Sequence, residues 1–459
     1  MKRTLPYLLA AFCAFFMACE PEEQRFTFDQ NAQLRFSTDT VFFDTIFSTV
    51  GSITQRLRVF NDNDNAVNIS NISLGRATDS EYTIAINGQK GNAFEDVRLL
   101  GQDSMLVLVE VTIDPRDENL PFIVQDSIVF ETNNNLQDVK LISFGQDANF
   151  LMDSVLTCNT TWTADRPYVI FNSVLVDSLC QLTIEEGTRI FSNTGSFIFV
   201  QGTIKVNGQP DGRVLFTNDR QDEDFENAPG QWGGLIFLEG SKDNEIQYAD
   251  IRNAQIGIRL GAPDDDDIPE VVIGNTRIEN MSNTGILTFT SDLYAYNTLV
   301  NNCAIAAVAN FAGGNYRYEH CTFANFSFDF FRQDPSVVFS DNVVLADNSI
   351  LEADLNVQVF NTIIWGSLSD ELTLSSTGNN DFILSVVNSL IRTTDEGLDI
   401  NNNILNLDPL FFDPREFDYS LDTLSPAKDS GLDILITNDI EGRERDQLPD
   451  IGAFERIEE

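Results

Sequence analysis

Four stretches of the chain repeat one pattern: IRNAQIGI at 251–258, IENMSNTGI at 278–286, VNNCAIAAV at 300–308 and FANFSFDFF at 323–331. In each, an asparagine follows an apolar residue by two positions and precedes a run of apolar or small residues. These asparagines are Asn253, Asn280, Asn302 and Asn325, at intervals of 27, 22 and 23. The long first interval holds a polar insertion, Ala262 to Pro269, containing Asp264, Asp265, Asp266 and Asp267. Weaker echoes follow in NVVLADN (342–348), NTIIWGS (361–367) and NSLIRTT (388–394). Short β segments at a period near 22 predict a single-stranded, right-handed parallel β-helix with one coil per repeat. Its coils stack about 4.8 Å apart. An asparagine at the same turn of successive coils donates to one neighbour and accepts from the other, so the four are expected to form a ladder of side-chain amides. The Leu/Asn consensus of leucine-rich repeats and the longer blades of propellers are both missing.

The opening coils, LTIEEGTRIF (182–191) and FVQGTIKVNG (199–208), with PGQWGG (229–234), resemble the first rungs of pectin-lyase-like bacterial β-helix proteins. The coils are expected over residues 155–410. The final motifs DPLFFDP (408–414), SPAKDSG (425–431), DIEGRERD (439–446) and PDIGAFE (449–455) resemble the closing module of secreted bacterial β-helices. That resemblance implies a structural part for Asp439, Arg443 and Asp450. Residues 411–459 are read as a cap, because an open stack end exposes unpaired edges and apolar rungs.

Before the coils, residues 26–148 show no helical periodicity. Instead the runs LRF, TVFFDTIF, QRLRVFN, VNISNISL, YTIAI, MLVLVEVTI, SIVFETN and VKLISFG alternate with turn signals, which predicts a β-sandwich and makes the whole chain all-β. Arg58-Val59-Phe60-Asn61, Gln102-Asp103-Ser104 and Asp114-Pro115 resemble features of bacterial relatives of the immunoglobulin-like domains named after abnormal spindle and hydin proteins. Such domains act as spacers or binding modules. Asn61 to Asn65 reads as a hairpin turn rather than a calcium loop, since no mid-loop Gly or closing Glu accompanies it.

At the N-terminus, Lys2 and Arg3 precede an apolar run from Leu5 to Met17, a secretory signal too short for a permanent membrane span. Phe16-Met17-Ala18-Cys19 resembles a bacterial lipobox, with Phe16 where Leu is usual. The resemblance implies removal of residues 1–18 and lipidation of Cys19. The acidic tether 19–25, with Glu20-Pro21-Glu22-Glu23, resembles the export signals of surface-exposed lipoproteins in Bacteroidetes-type bacteria. The expected location is therefore the outer membrane, lipid-anchored and facing the cell surface.

Chemistry is less legible. A net charge of −43, from 71 acidic and 28 basic residues, excludes nucleic acid as a partner, which needs clustered cations. With one His in the chain, a multi-His metal centre is excluded. Cys158 and Cys180, 22 residues apart, are a candidate disulfide across the first coil, whereas Cys303 and Cys321 fall at different stack positions and read as buried small residues. Polyuronate-cleaving β-helices pair Asp/Glu-bound Ca²⁺ with an Arg or Lys base. Here Arg252, Arg277 and Glu279 are the catalytic candidates, with Asp250, Arg317, Glu319 and His320 on neighbouring coils, and Asp264–Asp267 the candidate Ca²⁺ ligands. No resident cofactor is expected otherwise. Arg252 and Glu279 each precede a ladder asparagine, so they are expected to stack as an exposed cross-rung ion pair. Trp232 is a candidate for sugar stacking or for packing. The favoured function is a non-enzymatic adhesion or carbohydrate-interaction scaffold, with polysaccharide or other envelope proteins as partners. The alternative is a polysaccharide lyase or glycoside hydrolase. Fractionation and acyl labelling test the anchor: the native chain should partition with membranes and take up label, and Cys19→Ala should lose both.

Overall fold

The computed structural model describes residues 25–222, 225–261, 268–326, 328 and 331–456. The signal segment, Cys19 and Asp264–Asp267 lie outside the described residues. The chain divides into two compact units, Met1–Asp147 and Ala148–Glu459. Both are built of strands, and the described residues include no α-helix.

The first unit is a β-sandwich of two five-stranded sheets. One has the spatial order Arg35–Phe36, Gln55–Asn61, Asp103–Val111, Tyr82–Ile86, Gln89–Gly91; the other has Thr40–Phe47, Asn135–Gln146, Phe122–Thr132, Val67–Leu74, Ala93–Leu99. Alternation sets which side faces inward: Val107, Val109 and Val111 are buried while Leu106 points out. Tyr82 joins the sheets through its hydroxyl, which donates to the Val124 carbonyl and pairs with Ser143 Oγ, both at 2.9 Å. The strands Gln89–Gly91 and Ala93–Leu99 escape a reading based on apolar runs because both are short edge strands with largely exposed, polar side chains. Asn61 is buried, and its amide donates to the Asn65 and Leu100 carbonyls, which fixes the hairpin turn.

The second unit is a parallel sheet of 25 strands wound into coils, a parallel β-helix. A full coil places one strand on each of three faces. Face A contains Thr203–Asn207, Asn244–Gln247, Val271–Gly274, 293–296, 316–319 and Leu355–Phe360. Face B contains Ala249–Arg252, Arg277–Glu279, Leu299–Asn301, Thr322–Asn325, Ile363–Gly366 and Leu390–Ile391. Face C contains Gly234–Phe237, Ile258–Leu260, 286–288, 308–310 and Val337–Ser340. The apolar residue two places before each repeated asparagine points inward: Ile251, Ile278, Val300 and Phe323 stack in register, Ile364 continues the column on the next coil, and all five are fully buried. Burial of such columns drives the fold.

The corner between faces B and C carries the amides. Asn253, Asn280 and Asn302 have φ of 61°, 64° and 48°, in the left-handed region that asparagine enters most easily after glycine. Asn280 Nδ2 donates to Asn253 Oδ1 at 2.7 Å and Asn302 Nδ2 to Asn280 Oδ1 at 2.9 Å. The column begins one coil earlier than the repeat suggests, since Asn253 Nδ2 donates to Asn218 Oδ1 at 2.7 Å. Asn325 departs from it. Its amide instead closes a ring on the backbone of Cys303, accepting from the N–H at 2.7 Å and donating to the carbonyl at 2.8 Å. A longer loop follows here, pinned by a fully buried Arg332–Glu371 pair with bonds of 2.6 and 2.8 Å. Glu371 also accepts from the amides of Ser336 and Leu368.

The weaker echoes do not extend this ladder. Asn361 and Asn388 sit at the corner between faces A and B, below Asn275, Asn297 and His320, all five with φ between 43° and 51°. There Asn297 Nδ2 donates to Asn275 Oδ1, and Asn361 Nδ2 meets His320 Nε2, each at 2.9 Å. The hydroxyls of Thr276, Thr298, Thr362 and Ser389 each bond the carbonyl two residues back. NVVLADN falls in an antiparallel hairpin, Asn342–Val344 with Ile350–Glu352, outside the coils.

The C-terminal segment is not placed as an end cap. It runs along the outside of face B as a strap. Tyr419, Ile440, Ala453 and Phe454 pack on Leu299 and Ala324, while Leu421, Ala427 and Ile451 pack on Ile363, Trp365 and Leu390. Hydrogen bonds stitch it down: Asn297 Nδ2 to the Asn438 carbonyl, Asn361 with both backbone groups of Leu432, and the Ala453 amide to Thr322 Oγ1. Face B turns apolar outside because the strap needs an apolar bed.

Two substitutions test this packing in chemical unfolding. Asn280→Ala should destabilise by about 1–3 kcal/mol, because its buried ladder partners lose their bonds. Glu371→Gln should destabilise by about 3–5 kcal/mol, because the Arg332 charge is left buried without its counter-charge. Asn379→Ala, at an exposed turn, should leave the midpoint unchanged.

Candidate functional site

The outer surface of face A gathers the side chains with binding chemistry. Strand alternation projects Glu245, Val272, Tyr294, Arg317 and Gln358 as one outward column, and Gln247, Gly274, Tyr296, Glu319 and Phe360 as the next. Gly274 matters by having no side chain. A Cβ there would lie 2.4 Å from Tyr296 Cζ, so the Tyr296 ring lies across the Gly274 backbone. Its hydroxyl reaches a further rung back and donates to Gln247 Oε1 at 3.0 Å. Tyr294 leans the other way, its hydroxyl donating to Glu319 Oε2 at 2.6 Å. The two rings stand 5.5 Å apart. Arg317 is held beside them, its Nε 2.8 Å from Glu319 Oε1 and its guanidinium 5.5 Å from the Tyr294 ring centre. Burial raises the pKa of both phenols, and Glu319 raises that of Tyr294 further, so both remain protonated hydrogen-bond donors.

Among the described residues, two clefts border this surface and a third lies beyond its corner with face B. One of about 350 Å³ runs from Tyr294 past Arg317 and Asp292 to the amides of Asn315, Asn356 and Gln358. A second of about 500 Å³ lies between the tyrosines and strap residues Leu435 to Asn438. A third of about 580 Å³ lies under the strap, where His320 faces Glu444, Arg445 and Asp446.

The sequence candidates Arg252, Arg277 and Glu279 are brought together, but on face B. Arg252 Nε lies 3.2 Å from Glu279 Oε2, Asn301 Nδ2 donates to Glu279 Oε1 at 3.0 Å, and Arg213 Nε bonds Asp250 Oδ1 at 2.7 Å. The expectation of an exposed pair needs correction: the Glu279 side chain is only 6% exposed. Arg277 is bonded to Glu441 of the strap. Burial alone would lower its pKa, but Glu441, Asp250 and Glu279 carry it above the ordinary arginine value, opposite to what a catalytic base requires. For Trp232 the packing alternative, not sugar stacking, describes its place. It is fully buried among the coils with its indole Nε1 donating to the Arg252 carbonyl at 2.7 Å, so it presents no ring face to a sugar.

Cys158 and Cys180 form a disulfide, with Cα atoms 4.5 Å apart. Cys303 and Cys321 are free, and burial pushes both thiols up to about 12, leaving them unreactive. Among the described residues no three His, Cys, Asp or Glu side chains converge to hold a metal. Tyr294 and Tyr296 escaped the sequence reading, although the alternation Leu293-Tyr294-Ala295-Tyr296 marks one apolar and one aromatic side of a strand.

Part of the chain matches one family of known proteins. The model described as "Pectate-lyase like beta helix domain" matches residues 154–279. No curated protein matches the chain. Among solved structures, a protein of unknown function from Porphyromonas gingivalis W83 is 12% identical, covering 27% of this chain and 59% of its own length at a TM-score of 0.19. The ASH / PapD-like domain of human CEP192 is 11% identical, covering 25% of this chain and 85% of that one at 0.17. The catalytic unit of a GH87 alpha-1,3-glucanase from Streptomyces thermodiastaticus strain HF3-3 is 10% identical, covering 73% of each chain at 0.33.

The strap that walls two of the clefts is anchored by buried charges. Arg445 bonds Glu455 Oε2 at 3.0 Å and Asn297 Oδ1 at 2.9 Å. Asp439 accepts from the amides of Glu441, Arg443 and Glu455, and Asp450 from those of Asp429 and Arg456. In DIEGRERD it is therefore Arg445, not Arg443, whose side chain is the buried anchor. Burial pushes the Asp450 carboxyl up to about 6. In the unfolded chain it titrates near 3.9. The folded strap thus holds a proton that the unfolded chain has lost, and this contribution to stability falls as pH rises through the window from about 4 to 6. Burial holds His320 well below its usual pKa, which acts in the opposite sense as pH falls through about 6.5. Comparison with Asp450→Asn cancels the histidine contribution. The stability advantage of the native chain over this variant should widen between about pH 7 and about pH 5 in thermal unfolding.

Proposed function

We propose that the protein is a lipid-anchored lipoprotein of the outer cell surface in a Bacteroidetes-type bacterium, acting as a non-enzymatic carbohydrate-interaction scaffold. In this reading the sandwich is an immunoglobulin-like spacer and the β-helix presents an elongated binding face to polysaccharide. The observation that carries it is the tyrosine pair, Tyr294 and Tyr296, laid on face A beside the amides of Gln247, Asn356 and Gln358 and flanked by clefts. Flat aromatic faces with convergent amide groups suit sugar rings, whose faces are apolar and whose rims carry hydroxyls.

The alternative, a polysaccharide lyase or glycoside hydrolase, draws on the likeness of residues 154–279 to pectate-lyase-like domains. The charged groups favour it less. Arg252 and Arg277 are engaged with carboxylates, and both oxygens of Asp439 and of Asp450 accept from backbone amides. Ca²⁺ held by Asp264–Asp267 belongs to that alternative.

A polysaccharide array read for both binding and degradation, with and without Ca²⁺, tests the choice. Retention of at least one polymer without release of fragments is the expected result. Steady, calcium-dependent release of ultraviolet-absorbing unsaturated uronates, abolished in Arg252→Ala or Arg277→Ala, would replace the scaffold with a lyase.

A further inference from the structure

The chain carries a net charge of −43, yet among the described residues no charged side chain lines the 500 Å³ cleft between face A and the strap; Arg213, 5.8 Å from the Tyr248 ring centre, is taken up by Asp250 and by the carbonyls of Ala249, Asn275 and Ile440. The clefts on either side differ: one includes Asp292 and Arg317, the other Glu444, Arg445 and Asp446. Three tyrosines, Tyr248, Tyr294 and Tyr296, form one wall, with Leu435, Ile436 and Thr437 opposite. Hydrogen-bonding groups at its margins are neutral amides and hydroxyls, among them Gln209, Thr437 and Asn438.

The backbone at this cleft is unusual as well. Tyr248 has φ of 47° and Leu435 has φ of 68°, a region that bulky side chains avoid. Tyr248 takes it as the corner residue between faces A and B, the position held by Asn275 and Asn297 on later coils, so the corner fixes where its ring stands. Gly442 lets the strap close on the far end, since a Cβ there would stand 2.7 Å from Pro210 Cγ.

We infer that this cleft is a subsite for an uncharged sugar, one or two rings of a neutral polysaccharide stacked on Tyr296 and Tyr248. The inference rests on the carbohydrate reading above and narrows it. A uronate would bring its carboxylate into a cavity with no cation in the lining, inside a strongly negative chain. An amino sugar would bring an ammonium group with no carboxylate in the lining to receive it. Removal of either charge from water without a partner is costly. A neutral ring is free of that cost and gains the tyrosine faces, and the cleft volume falls in the range of small-ligand sites.

Calorimetric titration of the full chain with neutral gluco-, xylo- and manno-tetraoses, tetragalacturonate and tetraglucosamine tests this. At least one neutral tetraose should bind, with an affinity that changes little as salt is raised. Tyr296→Ala and Tyr248→Ala should each weaken it by about tenfold or more, while Tyr296→Phe, which keeps the ring, should retain it. Gly274→Ala, which displaces the Tyr296 ring, should weaken it too, and far-ultraviolet circular dichroism of each variant reports whether the coils remain. Tighter binding of a charged oligomer than of every neutral one overturns the inference and leaves the carbohydrate reading standing. Neutral binding unchanged by both tyrosine-to-alanine variants does the same. No binding of any oligosaccharide, and of no polymer on the array, overturns both.

Discussion

Every coil has to change direction at three corners while its neighbours lie about 4.8 Å above and below. A corner made in one residue needs a left-handed backbone, and it leaves polar groups trapped between rungs. Asparagine answers both demands, since its short amide tolerates that backbone and carries a donor and an acceptor that reach the next coil. Asn253, Asn280 and Asn302 do this between faces B and C, and Asn275 and Asn297 between faces A and B. With both corners locked, the register of each face follows. Tyr294 stands over Val272 and under Arg317 because the turn amides leave the strands no freedom to slip.

The three faces use that register differently. Face B is buried on both sides, by the core within and the strap without, as parallel sheets usually are. Its outer columns pass from charged, at Asp250, Arg252, Arg277 and Glu279, to apolar, at Leu299, Ile363, Trp365 and Leu390. The strap matches this, offering Glu441 to Arg277 and Leu421, Ala427 and Ile451 to the apolar rungs. Face A keeps its outer side open, and there the tyrosines lie.

The coil period and the inward apolar columns were legible because each coil repeats the same two demands, an apolar residue inside and an asparagine at a corner. What blurred was which corner an asparagine occupies. NTIIWGS and VNNCAIAAV look alike in sequence, yet Asn361 and Asn302 serve different turns, because every corner makes the same demand. Asn325 shares the spacing but not the conformation, since the following loop is long and is held by Arg332 and Glu371. The face A site was hidden for another reason. Tyr294 and Tyr296 form a platform only because Gly274 and Gln247, on earlier coils, leave room and a hydrogen-bond partner, and no local motif records such a neighbour. For Trp232 the flanking glycines pointed to packing rather than sugar stacking, and they do serve close approach: a Cβ on Gly233 would strike the Phe197 ring.

The strap also has a consequence in time. Its residues Ile440, Ile451 and Ala453 cover rungs laid down far earlier in the chain, from Leu299 to Leu390. A ribosome or an export channel releases those rungs first, so one apolar side of the growing stack stays uncovered until the last strap residues emerge. Coil stacking needs only near neighbours and can advance as the chain appears, whereas this contact is long-range and comes late. A chain interrupted before Tyr419 would have completed its coils yet would display the bare apolar rungs of face B, the kind of surface that promotes aggregation and draws chaperones and proteases. Covering face B from the far end of the chain thus makes burial of that face a signal that synthesis has run past the coils.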